Sequence, residues 1–224
     1  MLDILPSAPP AVTRGALAIE GVVKIYGTAD QGLLAVDRCS FDVAAGEICM
    51  VVGPSGCGKT SLLNAIAGFH GIDGGSIHLD GTLLCGPGRP KAEAGPDRVV
   101  VFQNGSLLPW KTNLDNVAFG PIAQGRLSRA QARTQARLLM ADAGLAGHED
   151  HYPGEISSGL RRRVEIVRAL MNDPSVLLLD EPYRALDALT KSAMHESLIE
   201  TYTKTGTTIF FITWANRGGS PLDW

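Results

Sequence analysis

The order of apolar and polar positions predicts an alternation of strands and helices along the chain. Short segments rich in β-branched residues, at 17–23, 36–43 and 47–52, are separated by glycine and polar residues, which predicts strands joined by turns. We assign these three segments to a strand-rich N-terminal lobe. Residues 176–179 form an uninterrupted apolar run, typical of a central parallel strand, and residues 207–213 predict the last strand.

Helical patterns lie between these strands. Apolar residues spaced for one helix face follow residue 60 and end at Gly68, which predicts a helix with a glycine stop. From 104 to 171 the pattern favours helices, and Ser128 and Gly144 have the positions of an N-cap and a terminal glycine for a helix over 129–143. A further helix is predicted over 188–202. This order predicts an α/β fold with a helical insertion.

Composition and charge restrict the function classes. The chain has 224 residues, 45% of them hydrophobic, and a formal net charge of −3. A globular domain is expected, and a global nucleic-acid-binding surface is not supported because there is no basic excess. The longest apolar runs are far shorter than the roughly 20 residues that a membrane-spanning helix needs. Residues 1–15 contain three prolines and no basic segment, so we expect a flexible tail and not a secretory signal. The four cysteines form no C-x-x-C pair, which favours reduced thiols in a cytoplasm.

A glycine-rich segment at 53–60 carries the most specific motif. Its sequence, GPSGCGKT, fits the pattern G-x-x-x-x-G-K-[ST] and stands between a predicted strand and a predicted helix, where a phosphate-binding loop belongs. Glycines allow backbone N–H groups to surround phosphate oxygens, Lys59 supplies a cation for the β- and γ-phosphates, and Thr60 is placed to ligate Mg²⁺. The alternative is a glycine-rich turn beside an exposed lysine. The predicted nucleotide-binding residues of this segment are Gly53, Pro54, Ser55, Gly56, Cys57, Gly58, Lys59, Thr60 and Ser61.

Two carboxylates follow the apolar run at 176–179. Asp180 at the end of this strand can hold the Mg²⁺ coordination shell, and the adjacent Glu181 can face an attacking water. By itself, Asp-Glu-Pro is also a common strand ending. Together with the upstream phosphate loop, the pair favours nucleotide hydrolysis, with Asp180 as a metal ligand and Glu181 as the catalytic base.

These motifs together resemble the ATP-binding subunits of ATP-binding cassette (ABC) transporters. The resemblance extends over 16–213 and rests on four segments, at 53–60, 101–103, 156–160 and 176–187. Three further segments are similar to those of the importers for nitrate, sulfonate, taurine and similar small anions, at 86–88, 102–110 and 115–120.

The resemblance implies a P-loop NTPase core sheet, an N-terminal antiparallel β lobe and an inserted helical subdomain (105–171) within a nucleotide-binding domain at 16–213. It implies a head-to-tail dimer with a second nucleotide-binding subunit, expected to be a homodimer, which holds two ATP molecules with Mg²⁺. It also implies integral membrane permease subunits, an indirect link to a periplasmic or extracellular substrate-binding protein, and a peripheral position on the cytoplasmic side of the inner (plasma) membrane. Residues 107–110 are expected near the groove that receives the permease, with core packing as the alternative.

Further site residues are carried over by position. Tyr26 matches the aromatic residue that stacks on adenine, with an ordinary half-buried tyrosine as the alternative. Gln103 matches the glutamine that senses the metal and the attacking water, so it is predicted as both a catalytic and a metal-site residue, although by chemistry alone it is any loop amide. Ser157 and Gly159 match the signature residues that meet the γ-phosphate of the partner's ATP, and Asp187 is assigned to the nucleotide site.

The sequence departs from the family pattern in several places. The signature segment reads ISSGL, so Ser158 replaces a glycine, and we expect weakened but not abolished dimer closure. Arg162 lies in a run of three arginines where the family usually shows Arg-Gln-Arg. Arg184 replaces a small residue at a close subunit contact, and Trp214 occupies the place of the histidine that contacts the γ-phosphate.

Residues 214–224 form a divergent C-terminal tail, which we attribute to a truncation or a frameshift near codon 213. The absence of a transition-state contact typically costs about 2.7–4 kcal/mol. We therefore expect ATP binding to survive better than hydrolysis.

The sequence predicts an ABC-type ATPase subunit that binds and hydrolyses ATP to drive import of a small anion through a separate membrane permease. The alternative is a degenerate ATP-binding protein with little or no hydrolysis, because the switch histidine position is Trp214. A soluble cassette that acts on DNA or ribosomes is disfavoured by the single-cassette length and by the absence of a basic excess, so no nucleic-acid partner is expected.

Overall fold

A computed structural model describes residues 13–27, 32–182 and 205–213, which form two four-stranded sheets and four α-helices. A single 3₁₀ turn at Pro153–Glu155 precedes the last of these helices. The elements in chain order are β1 (Leu17–Tyr26), β2 (Leu33–Val43), β3 (Ile48–Val52), α1 (Lys59–Ala67), β4 (Gly74–Leu79), β5 (Thr82–Cys85), β6 (Arg98–Val101), α2 (Asn113–Ala123), α3 (Arg129–Asp142), α4 (Ser158–Leu170), β7 (Val176–Asp180) and β8 (Thr208–Thr213).

The first sheet is antiparallel, with the strand order β2-β1-β4-β5. Leu17 on β1 lies opposite Val43 on β2 and Leu79 on β4, and all three side chains are buried. This sheet packs on α1 and on the second sheet through one shared hydrophobic core. Neither β4 nor β5 is among the predicted strands. The sequence of β4, GGSIHL, begins with two glycines and has little β-branched content, so its pattern is weak.

The second sheet is parallel, with the order β3-β8-β7-β6. Every residue of β7 is buried, which confirms the central strand predicted from the apolar run. The assignment of β3 to the N-terminal lobe is wrong, because β3 pairs with β8 in the parallel sheet. The physical reason is its connection: β3 leads directly into α1, and a strand followed by a crossover helix belongs to a parallel sheet.

The middle of the chain forms a helical subdomain. Helices α2, α3 and α4 pack around a hydrophobic core of their own. Ser128 and Gln131 form a capping box at the start of α3, so the N-cap assigned from the sequence is confirmed. The helix ends at Asp142, one residue before the predicted end, and Gly144 follows with a φ of +68°.

Residues 1–12, 28–31, 183–204 and 214–224 lie outside the described part, and with them the predicted helix over 188–202. The described residues begin within the predicted N-terminal tail. The amide of Gly15, at the end of that tail, donates a hydrogen bond of 2.7 Å to the Asp80 side chain. Within the described ranges, the helices are all too short or too polar to cross a lipid bilayer.

Candidate functional site

The parallel sheet gathers the predicted site at one edge, because the carboxyl ends of parallel strands point the same way. Gly53 follows β3, Gln103 lies two residues beyond β6, and Asp180 ends β7 with Glu181 next to it. The Gly53 amide donates to the carbonyl of Thr213 on β8 at 3.4 Å. Three segments that are far apart in sequence therefore meet where α/β proteins bind ligands.

The phosphate loop owes its shape to two glycines in the left-handed region. Gly56 has a φ of +81° and Gly58 a φ of +92°. A Cβ atom on Gly58 would lie 1.9 Å from the carbonyl oxygen of Ala35, so a larger residue does not fit there. The backbone then enters α1 at Lys59, with no side-chain cap at Gly58. The first amides of a helix have no intrahelical acceptor, so those of α1 are suited to bind an anion. This is the arrangement that the motif predicts for holding phosphate oxygens.

Lys59 is buried, and its ammonium group turns back on the loop. The Nζ atom donates to the carbonyls of Gly53 at 2.8 Å and Pro54 at 2.7 Å, and it lies 3.6 Å from the Cys57 Sγ atom. These contacts close the loop into a ring around the ammonium. The Lys59 ammonium group, which the sequence predicts to bind phosphate, thus lies at the centre of the loop. It is not the exposed lysine of the alternative interpretation.

Asp180 is the electrostatic centre of the site. Its side chain is buried, and its Oδ1 atom has no hydrogen-bond partner in the described part of the chain. Burial raises the pKa of the carboxyl, and the negative charge of Glu181 raises it further, whereas Arg162, a hydrogen bond from Thr60, and Lys59 lower this pKa. A buried carboxylate oxygen without a partner, beside a threonine hydroxyl, fits the ligand chemistry of Mg²⁺. Thr60 and Asp180 are therefore the side chains suited to hold that ion.

The raised pKa of Asp180 predicts a stability cost that substitution should remove. The folded chain binds a proton at this site more readily than the unfolded chain, so stability falls as pH rises through the folded pKa, and the charged form remains costly at neutral pH. We expect Asp180→Asn to raise stability at pH 7 without Mg²⁺ by about 1 kcal/mol, about 2–4 °C in Tm for a domain of this size. Thermal unfolding measures it, with the exposed Asp150→Asn as control. A lower Tm for Asp180→Asn would contradict the raised pKa of Asp180. If MgATP stabilised Asp180→Asn as much as the wild type, the assignment of Asp180 as an Mg²⁺ ligand would be contradicted.

Glu181 has an unusual backbone conformation. Its φ is +46°, and its amide donates to the carbonyl of Ile212 on β8 at 3.0 Å. A non-glycine residue in the left-handed region costs of order 1–3 kcal/mol and persists where its surroundings fix it. Such strain is common where a side chain must be aimed at a reacting group. The conformation is thus consistent with the predicted role of Glu181, which stays a prediction.

Gln103 and the signature segment line a common cleft. The cleft has a volume of about 380 Å³, and Gln103, Ser158, Arg162 and Pro182 are among its lining residues. Ser157 caps α4 by accepting a hydrogen bond of 3.3 Å from the amide of Leu160. The side chains of Ser157 and Ser158 are exposed, so they are accessible to a second molecule. Their roles, and that of Gly159, stay predictions.

Tyr26 lies at the end of β1 with about a third of its surface exposed. Its hydroxyl is 2.9 Å from the His70 Nδ1 atom, the two rings meet edge to face, and the Lys24 ammonium lies 5.3 Å from the centre of the tyrosine ring. These contacts fix the ring and leave part of it open. They suit a stacking platform for a purine, but the adenine-binding role is not tested by them.

Three sequence assignments fall outside the described residues: Asp187, Arg184 and Trp214. One group of site contacts was not predicted. Arg162, Glu165 and Arg168 on α4 hold the backbone of the loop that carries Gln103. The sequence offered one hint, the arginine at 162 in place of the family's usual glutamine, but only the structure places it against this loop.

Comparison with known proteins decides the family. A family model described as ABC transporter matches residues 36–184. The chain belongs to the ABC transporter family. It is 40% identical over 212 residues to the bicarbonate transport ATP-binding protein CmpD of Synechocystis sp., covering 93% of this chain and 73% of that protein. It is 46% identical over 183 residues to the taurine import ATP-binding protein TauB of Yersinia pestis, covering 82% and 69%. It is 39% identical over 214 residues to the nitrate import ATP-binding protein NrtD of Synechococcus elongatus, covering 95% and 76%.

Solved ABC cassettes have the same fold. The dimeric ATP-binding cassette MJ0796, in a post-hydrolysis form bound to ADP and Pi, superposes with a TM-score of 0.75 at 28% identity, over 88% of this chain and 87% of that one. The ADP conformation of the cassette MJ1267 gives a TM-score of 0.76 at 25% identity, over 89% and 81%. The predicted fold class and family are thereby confirmed, and this ABC cassette is a member of a family of ATPases.

Proposed function

We propose that this chain is the ATP-binding subunit of an importer for a small anion, and that it hydrolyses ATP to drive transport through a separate membrane permease. One observation carries the proposal: the buried Asp180 carboxylate, with an oxygen that has no hydrogen-bond partner among the described residues, stands beside Thr60 at the mouth of the phosphate loop. The anion class is supported by the similarity to proteins named for import of taurine and nitrate and for transport of bicarbonate.

The chain's own residues would divide the reaction as follows. The loop amides and Lys59 bind the β- and γ-phosphates, and the ammonium leaves the carbonyls of Gly53 and Pro54 to do so. Thr60 and Asp180 hold Mg²⁺, which supplies neutralisation of the phosphate charge. Glu181 accepts the proton of the attacking water, and Gln103 orients that water.

Turnover in this proposal needs a second nucleotide-binding subunit. The signature residues Ser157 and Gly159 lie at the start of α4, where the helix dipole favours an anion such as the γ-phosphate of the partner's ATP. A homodimer is the simplest arrangement, and it is supported by the dimeric form of the similar cassette MJ0796. The assembled subunits would sit on the cytoplasmic face of the membrane, against permease subunits that a separate substrate-binding protein supplies with the anion.

A degenerate ATP-binding protein is the second candidate. It is favoured by Trp214, which stands where the family has its switch histidine. The residue before it, Thr213, accepts a hydrogen bond from the first residue of the phosphate loop, so this part of the chain adjoins the site. Without the histidine, the chain would bind ATP and turn it over slowly or not at all.

Steady-state MgATP hydrolysis by the purified chain separates the two candidates. We expect turnover above that of Lys59→Ala, and a kcat for Trp214→His that is higher by up to about 10²–10³-fold, the usual value of one transition-state contact. Binding of a fluorescent ATP analogue, measured alongside, checks that each variant still takes nucleotide. Binding without turnover in the wild-type chain, restored or not by Trp214→His, would overturn the ATPase proposal and support the degenerate protein.

A further inference from the structure

Three side chains on one side of α4 grip the backbone of the loop that carries Gln103. They follow one another at intervals of three residues, which places them along the same helix face. The contacts are Arg162 Nη1 to the Phe102 carbonyl at 2.5 Å, the Ser106 amide to Glu165 Oε1 at 3.1 Å, and Arg168 Nη1 to the Ser106 carbonyl at 2.5 Å. We refer to Arg162, Glu165 and Arg168 as the α4 clamp.

Burial makes the clamp stiff. The side chains of Arg162 and Glu165 are 8% and 7% exposed, and they form an ion pair with 2.8 Å between Nη1 and Oε2. Gly105, with a φ of +76°, fits so closely under the clamp that a Cβ atom there would lie 2.8 Å from Glu165 Oε1. The amide of Gly105 closes a turn by donating to the Phe102 carbonyl at 3.3 Å. The loop therefore takes its shape from the buried ion pair.

The clamp joins two parts of the site that lie on different elements. At one end, α4 is capped by the signature residue Ser157 and contains Gly159 in its first turn. At the other, the gripped loop continues β6, which pairs directly with β7, the strand that ends at Asp180 and precedes Glu181. Arg162 lines the cleft shared by the signature segment and Gln103. A displacement of α4 would also move the loop, because α4 side chains bind the loop's main chain at Phe102 and at Ser106.

We propose that Arg162 and Glu165 are positioning residues, which make the signature helix and the Gln103 loop one rigid unit. Held in this unit, the Gln103 amide would keep a fixed position relative to Glu181, so the ion pair would act on hydrolysis through Gln103. This inference rests on the proposed function, since it assigns Gln103 a part in hydrolysis. A neutral glutamine, usual in the family at 162, carries no charge to pair with Glu165, so the ion-paired clamp depends on this chain's arginine.

Variants of the full chain test the α4 clamp without leaving a buried charge unpaired. Arg162→Met/Glu165→Met removes both charges together, a replacement that buried ion pairs often tolerate. Arg162→Lys keeps a positive charge and hydrogen-bond donors, so it should preserve the contacts to the Phe102 carbonyl and to Glu165. Arg168→Met removes the contact to the Ser106 carbonyl and a positive charge near Glu165, and it leaves the Arg162–Glu165 ion pair in place. It is the variant to use if the double variant does not fold. Arg137→Met, on the exposed surface of α3, is the matched control.

Amide hydrogen exchange is the first measurement. In the double variant, the peptide covering 102–108 should exchange faster by about tenfold or more, while peptides of α3 keep their rates. Arg168→Met should accelerate the same peptide by a smaller factor, and Arg162→Lys and Arg137→Met should match the wild type. Unchanged exchange at 102–108 in the folded double variant, or in Arg168→Met if the double variant does not fold, overturns the proposal.

Kinetics distinguish positioning from a merely structural role. The double variant should lower kcat by about tenfold to 10²-fold, with the KM for ATP within about twofold, as expected when a reacting geometry is displaced by a fraction of an ångström. Combined with Gln103→Ala, it should cause little further loss, because both act through the same amide. Additive losses would overturn the proposal. Absence of turnover in the wild-type chain would count against the proposed function alone, since hydrogen exchange still decides the clamp.

Discussion

Replacing Glu181 by glutamine will lower kcat for ATP hydrolysis by about 10²–10⁴-fold, the usual contribution of a positioned general base. The amide keeps the size of the side chain and the strained backbone at φ +46°, but it cannot accept the proton of the attacking water. ATP affinity should change little, because the phosphate loop, Thr60 and Asp180 are untouched. Steady-state hydrolysis and binding of a fluorescent ATP analogue measure the two effects.

The matched control for Glu181→Gln is Asp142→Asn, a carboxylate-to-amide change at the exposed end of α3. It should leave both kcat and ATP binding as in the wild type. Turnover by Glu181→Gln at the wild-type rate would show that another group takes the proton. A parallel loss of binding would show that the side chain acts on the nucleotide and not on the water.

Gly58→Ala should cost the folded chain about 2–5 kcal/mol. The left-handed backbone costs about 1–2 kcal/mol for a residue with a Cβ atom, and relieving an overlap in packed structure typically costs about 1–3 kcal/mol more. The overlap is with the Ala35 carbonyl, 1.9 Å from the added atom. Since the loop must shift to make room, addition of MgATP should no longer raise Tm. Thermal unfolding with and without MgATP tests both effects.

Gly125→Ala isolates the backbone cost. Gly125 has a φ of +68°, and apart from its two chain neighbours no described residue has an atom within 4 Å of where its Cβ atom would lie. This variant should lose only about 1–2 kcal/mol and should keep the full increase in Tm with MgATP, because it lies in the helical subdomain. Equal losses in the two glycine variants would mean that the contact with Ala35 is relieved by a small local shift.

The sequence anticipated those parts of the site that depend on local rules. The phosphate loop was recognised because glycine, lysine and threonine have fixed spacings there, and β7 because a strand buried on both faces must be apolar throughout. The N-cap of α3 was predicted from Ser128 alone, and the structure adds the reciprocal contact from Gln131. Such features need only neighbouring residues, so a single sequence contains them.

Long-range features could not be anticipated in the same way. The four-residue strand β6 is too short for a pattern. The placement of β3 is different, because its link to α1 is local and already indicates the parallel sheet. The grip of α4 on the Gln103 loop joins residues about sixty positions apart by hydrogen bonds to main-chain atoms, which no side-chain pattern specifies. The orphaned oxygen of Asp180 likewise depends on what the fold brings around it.

The pairing of β3 with β8 also affects the order in which the chain can fold during its synthesis on the ribosome. Ile48 on β3 pairs with Ile209 on β8. The strand that leads into the phosphate loop therefore cannot pair with β8 until nearly the whole described chain has been synthesised. The helical subdomain, whose contacts lie within 105–171, can be complete long before. Distant strand pairings form slowly, and until then the apolar face of β3 is open to wrong partners. The nucleotide site is thus among the last parts of the described chain to be assembled.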